Sequence, residues 1–330
     1  MDPRDEGAGV PAAPAAGLVV AVVGATATGK SDLGVALALR FGGEVVGADA
    51  SQLYRGMDIG TAKLAPEERG GVPHHQLDVL DVTEEASVAA YQRHARADID
   101  AVLARGAVPV VVGGSGLYVR AALDHLEIPP TDPDVRDALE ARARAEGTAA
   151  LYAELGRLDP TAAHAIEPGN TRRVVRALEV IALTGRPFSA TMPRREFVRP
   201  TVVVGLRLDR ETLDARIAHR TRAMFDAGLV EEARGLLPRG LREGRTASRA
   251  VGYAQALAVI DGTMSVQDAV DDTALRTRRL VRRQESWFGA DPRITWFDAL
   301  DPDLVDRVAG HVETAGARLR RGGWDDGPHG

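Results

Sequence analysis

The chain has 330 residues, of which 45% are hydrophobic, a formal net charge of −6 and no cysteine. Such a chain can bury one large core, alone or with a smaller satellite domain. The lack of cysteine excludes disulfides, cysteine-ligated zinc and thiol catalysis, and no apolar run reaches the ~18 residues needed to cross a bilayer. Residues 1–17, rich in Ala, Pro and Gly, predict a disordered tail and not a secretory signal, so we expect a cytoplasmic protein without membrane association.

The first third of the chain alternates strand and helix patterns. Continuous apolar runs at 18–23, 44–48 and 108–112 predict buried strands, and helical periodicity at 31–41 and 87–104 predicts helices between them. Strands that alternate with helices form parallel sheets covered on both faces. We therefore predict an α/β fold, a P-loop NTPase-like parallel sheet flanked by helices.

The middle of the chain interrupts this alternation. Residues 126–200 contain only helical patterns, including 133–146 and 171–184, and a further strand pattern follows at 201–206. We therefore predict that 126–200 is an inserted all-helical domain. The predicted core domain comprises 18–125 and 201–319. Its later elements are helices at 211–237 and 265–288 and an edge strand at 294–297, followed by a disordered tail at 320–330.

A glycine-rich loop follows the first predicted strand. Its sequence, Gly24-Ala25-Thr26-Ala27-Thr28-Gly29-Lys30-Ser31, fits the GxxxxGK[ST] pattern between a strand and a helix. In such loops, backbone N–H groups turn inward around a phosphate, the lysine reaches the outer oxygens and the serine can ligate Mg²⁺. The pattern does not name the reaction, because kinases, NTPases and diphosphate-using transferases share this cradle.

Asp49 is the acid expected beside this loop. It ends the second predicted strand, where open α/β sheets place their ligands, and its carboxylate could accept a proton from a nucleophile. The alternative is an aspartate that only caps the next turn. The strand at 108–112 ends in Gly-Gly and lacks the acid of a Walker B strand, which argues against a motor ATPase.

Two stretches concentrate positive charge in this acidic protein. Residues 172–199 hold seven arginines against two glutamates, and 276–283 hold five arginines and no acid. Such stretches can bind a polyanion, although solvated helix faces also explain them. Only two of the 41 basic residues are lysines, Lys30 and Lys63, which suggests a need for a compact ammonium at those positions.

Several motifs resemble those of the tRNA dimethylallyltransferase (tRNA isopentenyltransferase) family, in its bacterial short form. The longest is Asp49-Ala50-Ser51-Gln52-Leu53-Tyr54-Arg55-Gly56-Met57-Asp58-Ile59-Gly60-Thr61-Ala62-Lys63. The others are Val72-Pro73-His74-His75, Gly113-Gly114-Ser115-Gly116-Leu117-Tyr118, Arg176-Ala177-Leu178-Glu179, Arg249-Ala250-Val251-Gly252-Tyr253 and Arg282-Arg283-Gln284-Glu285-Ser286-Trp287-Phe288.

The resemblance implies transfer of a dimethylallyl group from its diphosphate to the N6 amine of adenosine 37, in the anticodon loop of tRNA. It implies Mg²⁺ at Ser31, and Asp49, Lys30 and Arg249 as catalytic residues. The implied diphosphate-binding residues are Gly24, Thr26, Ala27, Thr28, Gly29, Lys30 and Ser31. The implied tRNA-binding residues are Asp49, Ala50, Ser51, Gln52, Ser115, Arg136, Arg172, Arg173, Arg176, Arg249, Gly252, Tyr253, Arg282, Arg283, Gln284 and Trp287. Tyr253 and Trp287 are candidates for stacking on a base.

Two other functions are compatible with the glycine-rich loop. One is a small-molecule kinase or a prenyltransferase that acts on free adenine nucleotides, and the other is a nucleotide-binding regulator without chemistry. The basic helical insertion favours a tRNA substrate, because a free nucleotide needs no such patch. We expect His74 and His75 to be structural, since they lack metal-ligand spacing, and we expect a monomer.

Overall fold

The computed structural model describes residues 17–191 and 195–321. Apart from Gly17, the N-terminal tail predicted at 1–17 lies outside these ranges. Within them, six parallel strands form one sheet in the order β3-β2-β4-β1-β5-β6. The strands are β1 Val19–Gly24, β2 Gly43–Gly47, β3 His74–His75, β4 Val108–Gly113, β5 Thr201–Arg207 and β6 Ile294–Asp298. The predicted parallel α/β sheet is confirmed.

Twelve α-helices accompany this sheet in the described ranges. In chain order they are α1 Lys30–Phe41, α2 Val88–Ala104, α3 Gly116–Leu123, α4 Pro133–Glu146, α5 Thr148–Leu158, α6 Pro160–Ala165, α7 Thr171–Thr184, α8 Arg210–Asp226, α9 Leu229–Leu236, α10 Tyr253–Ile260, α11 Val266–Gly289 and α12 Leu304–Arg321.

The helix predicted over 211–237 is wrong as a single element. It is two helices, α8 and α9, because Gly228 between them adopts a left-handed conformation with φ of 98°, which few other residues tolerate. The C-terminal tail predicted from Arg320 is also wrong at its start, since Arg320 and Arg321 form the last turn of α12. The short strand β3 was not predicted because two residues are too few to show the alternating pattern of a strand.

The central strands are buried from both sides. Residues Val20 to Val23 of β1 are all 0% exposed, as the continuous apolar run requires of a parallel strand covered on both faces. On one face, Val20 and Val22 pack in a cluster with Leu37 of α1 and Val312 of α12. This packing fixes the carboxyl end of β1, where the glycine-rich loop begins.

The described residues form two compact units, one of residues 17–123 and 197–321 and the other within Asp124–Glu196. The second unit contains α4 to α7 around its own apolar core, which includes Leu151, Leu155 and Val174. Its helix starts are capped by side chains: Asp132 accepts hydrogen bonds from the first turn of α4, and Asp159 does so for α6.

The carboxyl ends of β1, β2 and β4 lie at one edge of the sheet, and close packing there requires glycine. Ala48 N donates to Val112 O at 2.8 Å, which draws the end of β2 against β4. A Cβ on Gly113 would overlap the backbone of Ala48. The segments that follow these strands therefore converge at this edge, where parallel α/β sheets bind their ligands.

We predict that Gly113→Ala lowers the free energy of unfolding by about 3 kcal/mol, because backbone atoms must move to admit the methyl group. Gly310→Ala is the matched control. Gly310 lies in α12 with nothing near its would-be Cβ, so alanine there should stabilise the helix by about 0.5–1 kcal/mol. Denaturant unfolding of the two variants checks both values, and equal effects would contradict the close approach at Gly113.

Candidate active site

The 24–31 loop connects β1 to α1 through unusual backbone conformations. Gly24 has φ of 137°, and a Cβ there would lie 2.5 Å from Leu206 O of β5. Gly29, just before α1, has φ of 87°, and Ala27 has φ of 66° although it carries a side chain. Such a turn packs the chain tightly between the strand and the first turn of the helix. The positive end of the α1 dipole therefore faces the space above the loop.

A cavity of about 770 Å³ opens beside this loop. Seven of the predicted site residues line it: Thr26, Ala27, Gly29, Lys30, Ser31, Asp49 and Gln52. Gly24 and Thr28 do not line it; Thr28 is buried and its hydroxyl donates to Ala25 O at 2.8 Å. The cavity thus brings together the loop and the aspartate that the sequence placed on two separate strands.

Five residues of α8 line the same cavity and were missed from the sequence, among them the polar residues Arg216, His219 and Arg220. Arg220 donates to Thr26 Oγ1 at 2.6 Å, and Arg216 donates to Ala27 O at 3.5 Å. Burial lowers the pKa of Arg220, and the charge of Asp49 opposes this shift. Their spacing of four residues, which puts both arginines on one helix face, was the available signal.

Lys30 supplies a desolvated ammonium to the cavity. Burial lowers its pKa from 10.5 to about 8, attraction to Asp49 works in the opposite direction, and repulsion by Arg220 adds to the lowering. Its Nζ donates to Ala25 O. An ammonium that is poorly solvated and close to another cation gains strongly from an anion, so this wall of the cavity favours a phosphate group.

Asp49 is held at the end of β2 by hydrogen bonds of its neighbours. Ser51 N donates to Asp49 Oδ1 at 2.9 Å, and Ser115 Oγ accepts from Ala50 N at 3.3 Å. Ser115 therefore serves the Asp49 segment, although it does not line the cavity. Only one oxygen of the Asp49 carboxylate is hydrogen-bonded within the described chain, which leaves the other as a proton acceptor.

Ion pairs hold the C-terminal end of the 49–63 loop in place. The Lys63 ammonium, on a side chain that is 2% exposed, binds Asp58, Asp78 and Tyr54 O. A lysine suits position 63 because its compact ammonium group can donate to three acceptors at once. Gln52, Thr61 and Ala62 of this loop line the cavity, and the ion pairs of Lys63 hold the end of the loop in place.

The base-stacking role predicted for Tyr253 is not supported. Its ring is 0% exposed, and a Cβ on Gly60 would overlap it. Its hydroxyl donates to Glu232 Oε1 at 2.5 Å, while the same carboxylate accepts the Ile59 N–H at 2.9 Å. Burial raises the pKa of Tyr253, so the phenol stays protonated. Tyr253 thus anchors the 49–63 loop and offers no face to a nucleotide.

The predicted tRNA-binding residues of α11 differ in exposure. Arg282, Arg283 and Trp287 are exposed, whereas Gln284 is buried at 7% exposure. Arg249 is exposed at the end of the short 3-10 turn Ala247–Arg249 and does not line the cavity. Gly252 follows with φ of 96° at the start of α10. Ala50 and Ser51 are half-buried and also lie outside the cavity lining.

The arginines of the Asp124–Glu196 unit that were predicted to bind tRNA fall into an exposed pair and a pair that binds a buried glutamate. Arg172 and Arg173 are exposed in the first turn of α7. Arg136 and Arg176 both bind the Glu179 carboxylate, which is 0% exposed, and Arg176 also donates to Pro129 O and Pro130 O at 2.8 Å. These two guanidinium groups compensate a buried charge, so Arg136 and Arg176 are structural in this conformation.

The two adjacent histidines line the cavity and are satisfied by protein partners. His74 Nδ1 donates to Val72 O at 2.8 Å, and burial lowers the pKa of this imidazole. His75 Nε2 lies 2.6 Å from Glu44 Oε2.

Among the described residues, no group of three or more acidic or histidine side chains is arranged to hold a metal ion. No helix in these ranges has the length and apolar character needed to span a membrane.

Comparison with known proteins gives one consistent family. The sequence model of the IPP transferase family matches residues 52–291. A tRNA dimethylallyltransferase of Kocuria rhizophila is 57% identical over 301 residues, which cover 91% of this chain and 96% of that protein. Another, of Streptomyces coelicolor, is 59% identical over 296 residues, with coverage of 90% and 94%.

Solved structures agree with the sequence relatives. The tRNA isopentenylpyrophosphate transferase of Bacillus halodurans aligns with a TM-score of 0.67 and 40% identity, over 93% of this chain and 100% of that one. A eukaryotic dimethylallyltransferase acting on tRNA aligns with a TM-score of 0.76 and 26% identity, over 89% of this chain and 77% of that one.

We predict that Lys30→Met stabilises the fold while it abolishes activity. The folded-state pKa of about 8 lies below the ordinary 10.5, so the unfavourable burial of the charge is complete below pH 8 and disappears as pH rises towards 10.5. The gain at pH 7 should be about 1–3 kcal/mol, reduced by the openness of the cavity to water, and should vanish near pH 10.5.

Lys63→Met is the matched control for this prediction. It removes the partner of Asp58 and Asp78 and should lower the free energy of unfolding at every pH where these carboxylates are ionised. Thermal unfolding between pH 6 and pH 10 distinguishes the two lysines. A loss of stability in Lys30→Met at pH 7 would show that the Lys30 charge is compensated by the protein alone.

Proposed function

Because the chain belongs to the IPP transferase family, we propose that it is a tRNA dimethylallyltransferase. It transfers a dimethylallyl group from dimethylallyl diphosphate to the exocyclic N6 amine of adenosine 37 in tRNA, and it produces N6-isopentenyladenosine and diphosphate. The observation that carries this proposal is one cavity with a cationic wall of Lys30, Arg216 and Arg220 and a carboxylate, Asp49, beside it. The first binds a leaving diphosphate, and the second accepts a proton from an attacking amine.

The diphosphate binds at the 24–31 loop. Its charge replaces the missing solvation of Lys30, and backbone N–H groups at the start of α1 donate to its oxygens. The Arg220 guanidinium adds a further cation beside Thr26 Oγ1. As the bond between the allylic carbon and the diphosphate oxygen breaks, negative charge grows on the leaving group. Cations fixed before the reaction lower the barrier, because they need not reorganise during it.

The new carbon–nitrogen bond forms between the allylic carbon and N6 of the adenine. The nitrogen then carries one proton too many, and Asp49 takes it, so that the product amine is neutral and the carboxyl group is protonated. Proton release to water restores the carboxylate. The hydrogen bond from Ser51 N orients the Asp49 carboxylate for this transfer.

Ser31 is the residue we assign to Mg²⁺. Its hydroxyl lines the cavity and has no hydrogen-bond partner among residues 17–191 and 195–321. A hydroxyl and diphosphate oxygens are hard ligands of the kind that Mg²⁺ prefers, and this ion usually relies on substrate phosphates and water where protein carboxylates are few. When bound, the ion would neutralise part of the diphosphate charge.

The adenine must leave the anticodon-loop stack to reach this cavity, at a cost of about a few kcal/mol. The exposed arginines Arg172, Arg173, Arg282 and Arg283 and the exposed ring of Trp287 are suited to binding the phosphates and bases around it. Arg249 has a free, exposed guanidinium in the described chain and is assigned to the same substrate. Kinase and regulator functions gain no support, since the relatives are named for transfer of a dimethylallyl or isopentenyl group to tRNA and not of a phosphate.

The test is incubation of the purified protein with Mg²⁺, radiolabelled dimethylallyl diphosphate and unmodified tRNA with adenosines at positions 36 to 38. Label should appear in RNA at adenosine 37. Label on free AMP, or phosphate transfer from ATP, would instead support the nucleotide prenyltransferase or the kinase.

Asp49→Asn should reduce transfer by about 10³-fold, because the amide cannot accept the proton. The change keeps the size of the side chain and the acceptor for Ser51 N, so the Kd for tRNA should stay within about twofold of the original value. Filter binding and single-turnover label transfer measure the two quantities. A large loss of tRNA affinity with normal transfer at saturation would mean that Asp49 only binds RNA.

Replacing Arg172 and Arg173 together by alanine should weaken tRNA binding and reduce the slope of log K against log salt by about 1.5–2, since two phosphate contacts are lost. The matched control replaces Arg144 and Arg157, which are exposed on α4 and α5 of the same unit, and should leave the slope unchanged. Equal slopes in both double variants would remove the start of α7 from the interface.

A further inference from the structure

Gln284 connects two segments of the candidate active site. Its Oε1 accepts the Thr26 N–H at 2.9 Å, and its Nε2 donates to Gly114 O at 2.9 Å. A backbone N–H can only donate and a carbonyl can only accept, so the orientation of the Gln284 amide is determined by its partners. One buried side chain of α11 therefore joins the 24–31 loop to the end of β4.

The fit around this side chain excludes easy substitutes. A Cβ on Gly114 would lie 2.5 Å from Gln284 Nε2, so the glycine makes room for the amide. Glutamate would place an oxygen against Gly114 O, methionine would satisfy neither partner, and asparagine is one methylene too short. An unpaired buried backbone group costs about 1–3 kcal/mol, and here the loss would fall on a loop that binds the leaving group.

On the loop side, the Gln284 contact determines what Thr26 presents to the cavity. The Thr26 N–H donates to Gln284 Oε1 and is therefore not directed to a diphosphate, so the implied role of Thr26 in diphosphate binding rests on its other groups. The Thr26 hydroxyl instead accepts from Arg220 at 2.6 Å, and both residues line the cavity. Gln284 thus fixes the backbone from which Thr26 holds the Arg220 guanidinium.

On the other side, the contact reaches the general base. Ser115, the residue after Gly114, donates its N–H to Ala48 O at 3.3 Å, and its hydroxyl accepts the Ala50 N–H at 3.3 Å. Ala48 and Ala50 flank Asp49. The chain of contacts from Thr26 through Gln284 and Ser115 therefore sets the position of the diphosphate-binding loop relative to the Asp49 carboxylate.

We propose that Gln284 is a positioning residue that aligns the leaving-group loop with the proton acceptor, and that it does not contact tRNA. This inference builds on the proposed function, because alignment matters for a reaction in which one group leaves as another loses a proton. Its exposed neighbours Arg282, Arg283 and Trp287 are the residues of α11 that we propose bind RNA, so one helix serves both substrates.

The test compares Gln284→Met with Arg282→Ala. For Gln284→Met we expect kcat to fall about 10–100-fold and KM for dimethylallyl diphosphate to rise a few-fold, with Kd for tRNA and its salt slope unchanged within error. Arg282→Ala should instead weaken tRNA binding and lower the salt slope by about one. The opposite pattern, a Gln284→Met variant that binds tRNA poorly but reacts normally when saturated, would overturn the proposal.

Two further measurements distinguish alignment from a general loss of folding. Because Gln284 acts through Thr26, the effects of Gln284→Met and Thr26→Val on kcat should be strongly less than additive. Gln284→Asn, a smaller change, should fall between the original protein and the methionine variant. Full additivity, or parallel loss of kcat and of correctly folded protein, would overturn the proposal.

The inference can also be tested apart from the reaction. Inorganic diphosphate with Mg²⁺ serves as the probe, and calorimetry should show weaker binding to Gln284→Met than to the original protein. If the original protein binds the probe but labels no tRNA, the proposed function has failed while the Gln284 contact remains under test. Equal affinity in both proteins would contradict the loop-positioning role itself.

Discussion

The candidate active site depends on the poorly solvated Lys30 ammonium at the start of α1. A charge in this position is unfavourable until an anion joins it. The neighbouring carboxylate of Asp49 relieves the cost only in part, because burial outweighs this attraction and Arg220 repels the ammonium. In the proposed function, this unfavourable charge supplies an affinity for diphosphate at the point where the leaving group must be stabilised.

Much of the remaining structure supports the loops around this charge. Lys63 and its acidic partners hold one end of the 49–63 loop, and Glu232 with Tyr253 holds its middle. Both sets bury polar groups that are paired, which makes the loop rigid at the cost of tolerating few substitutions. The side chains that meet the substrate are therefore positioned by residues that never touch it, a common requirement for precise active sites.

The sheet could be predicted because buried parallel strands have continuous runs of β-branched residues in their sequence, as in β1 and β4. The sequence predicted the 24–31 loop and Asp49 because each follows such a run, and chain order alone brings them to one edge. It did not single out Arg220, since the four-residue spacing from Arg216 indicates a shared helix face but is also found among many exposed arginines. The burial of Tyr253 and the pairing of Arg136 and Arg176 with Glu179 likewise depend on packing between distant segments, which local periodicity does not encode.

The near absence of lysine has a practical chemical consequence. With 39 of 41 basic residues being arginine, the surface offers few side-chain primary amines, and the Lys63 side chain is only 2% exposed. Lys30 faces an open cavity with a pKa of about 8, so much of it is an uncharged nucleophile in mildly alkaline buffer. Acylating reagents would then discriminate between these two amines by environment alone, and occupancy of the phosphate cradle could be followed as protection of a single side chain.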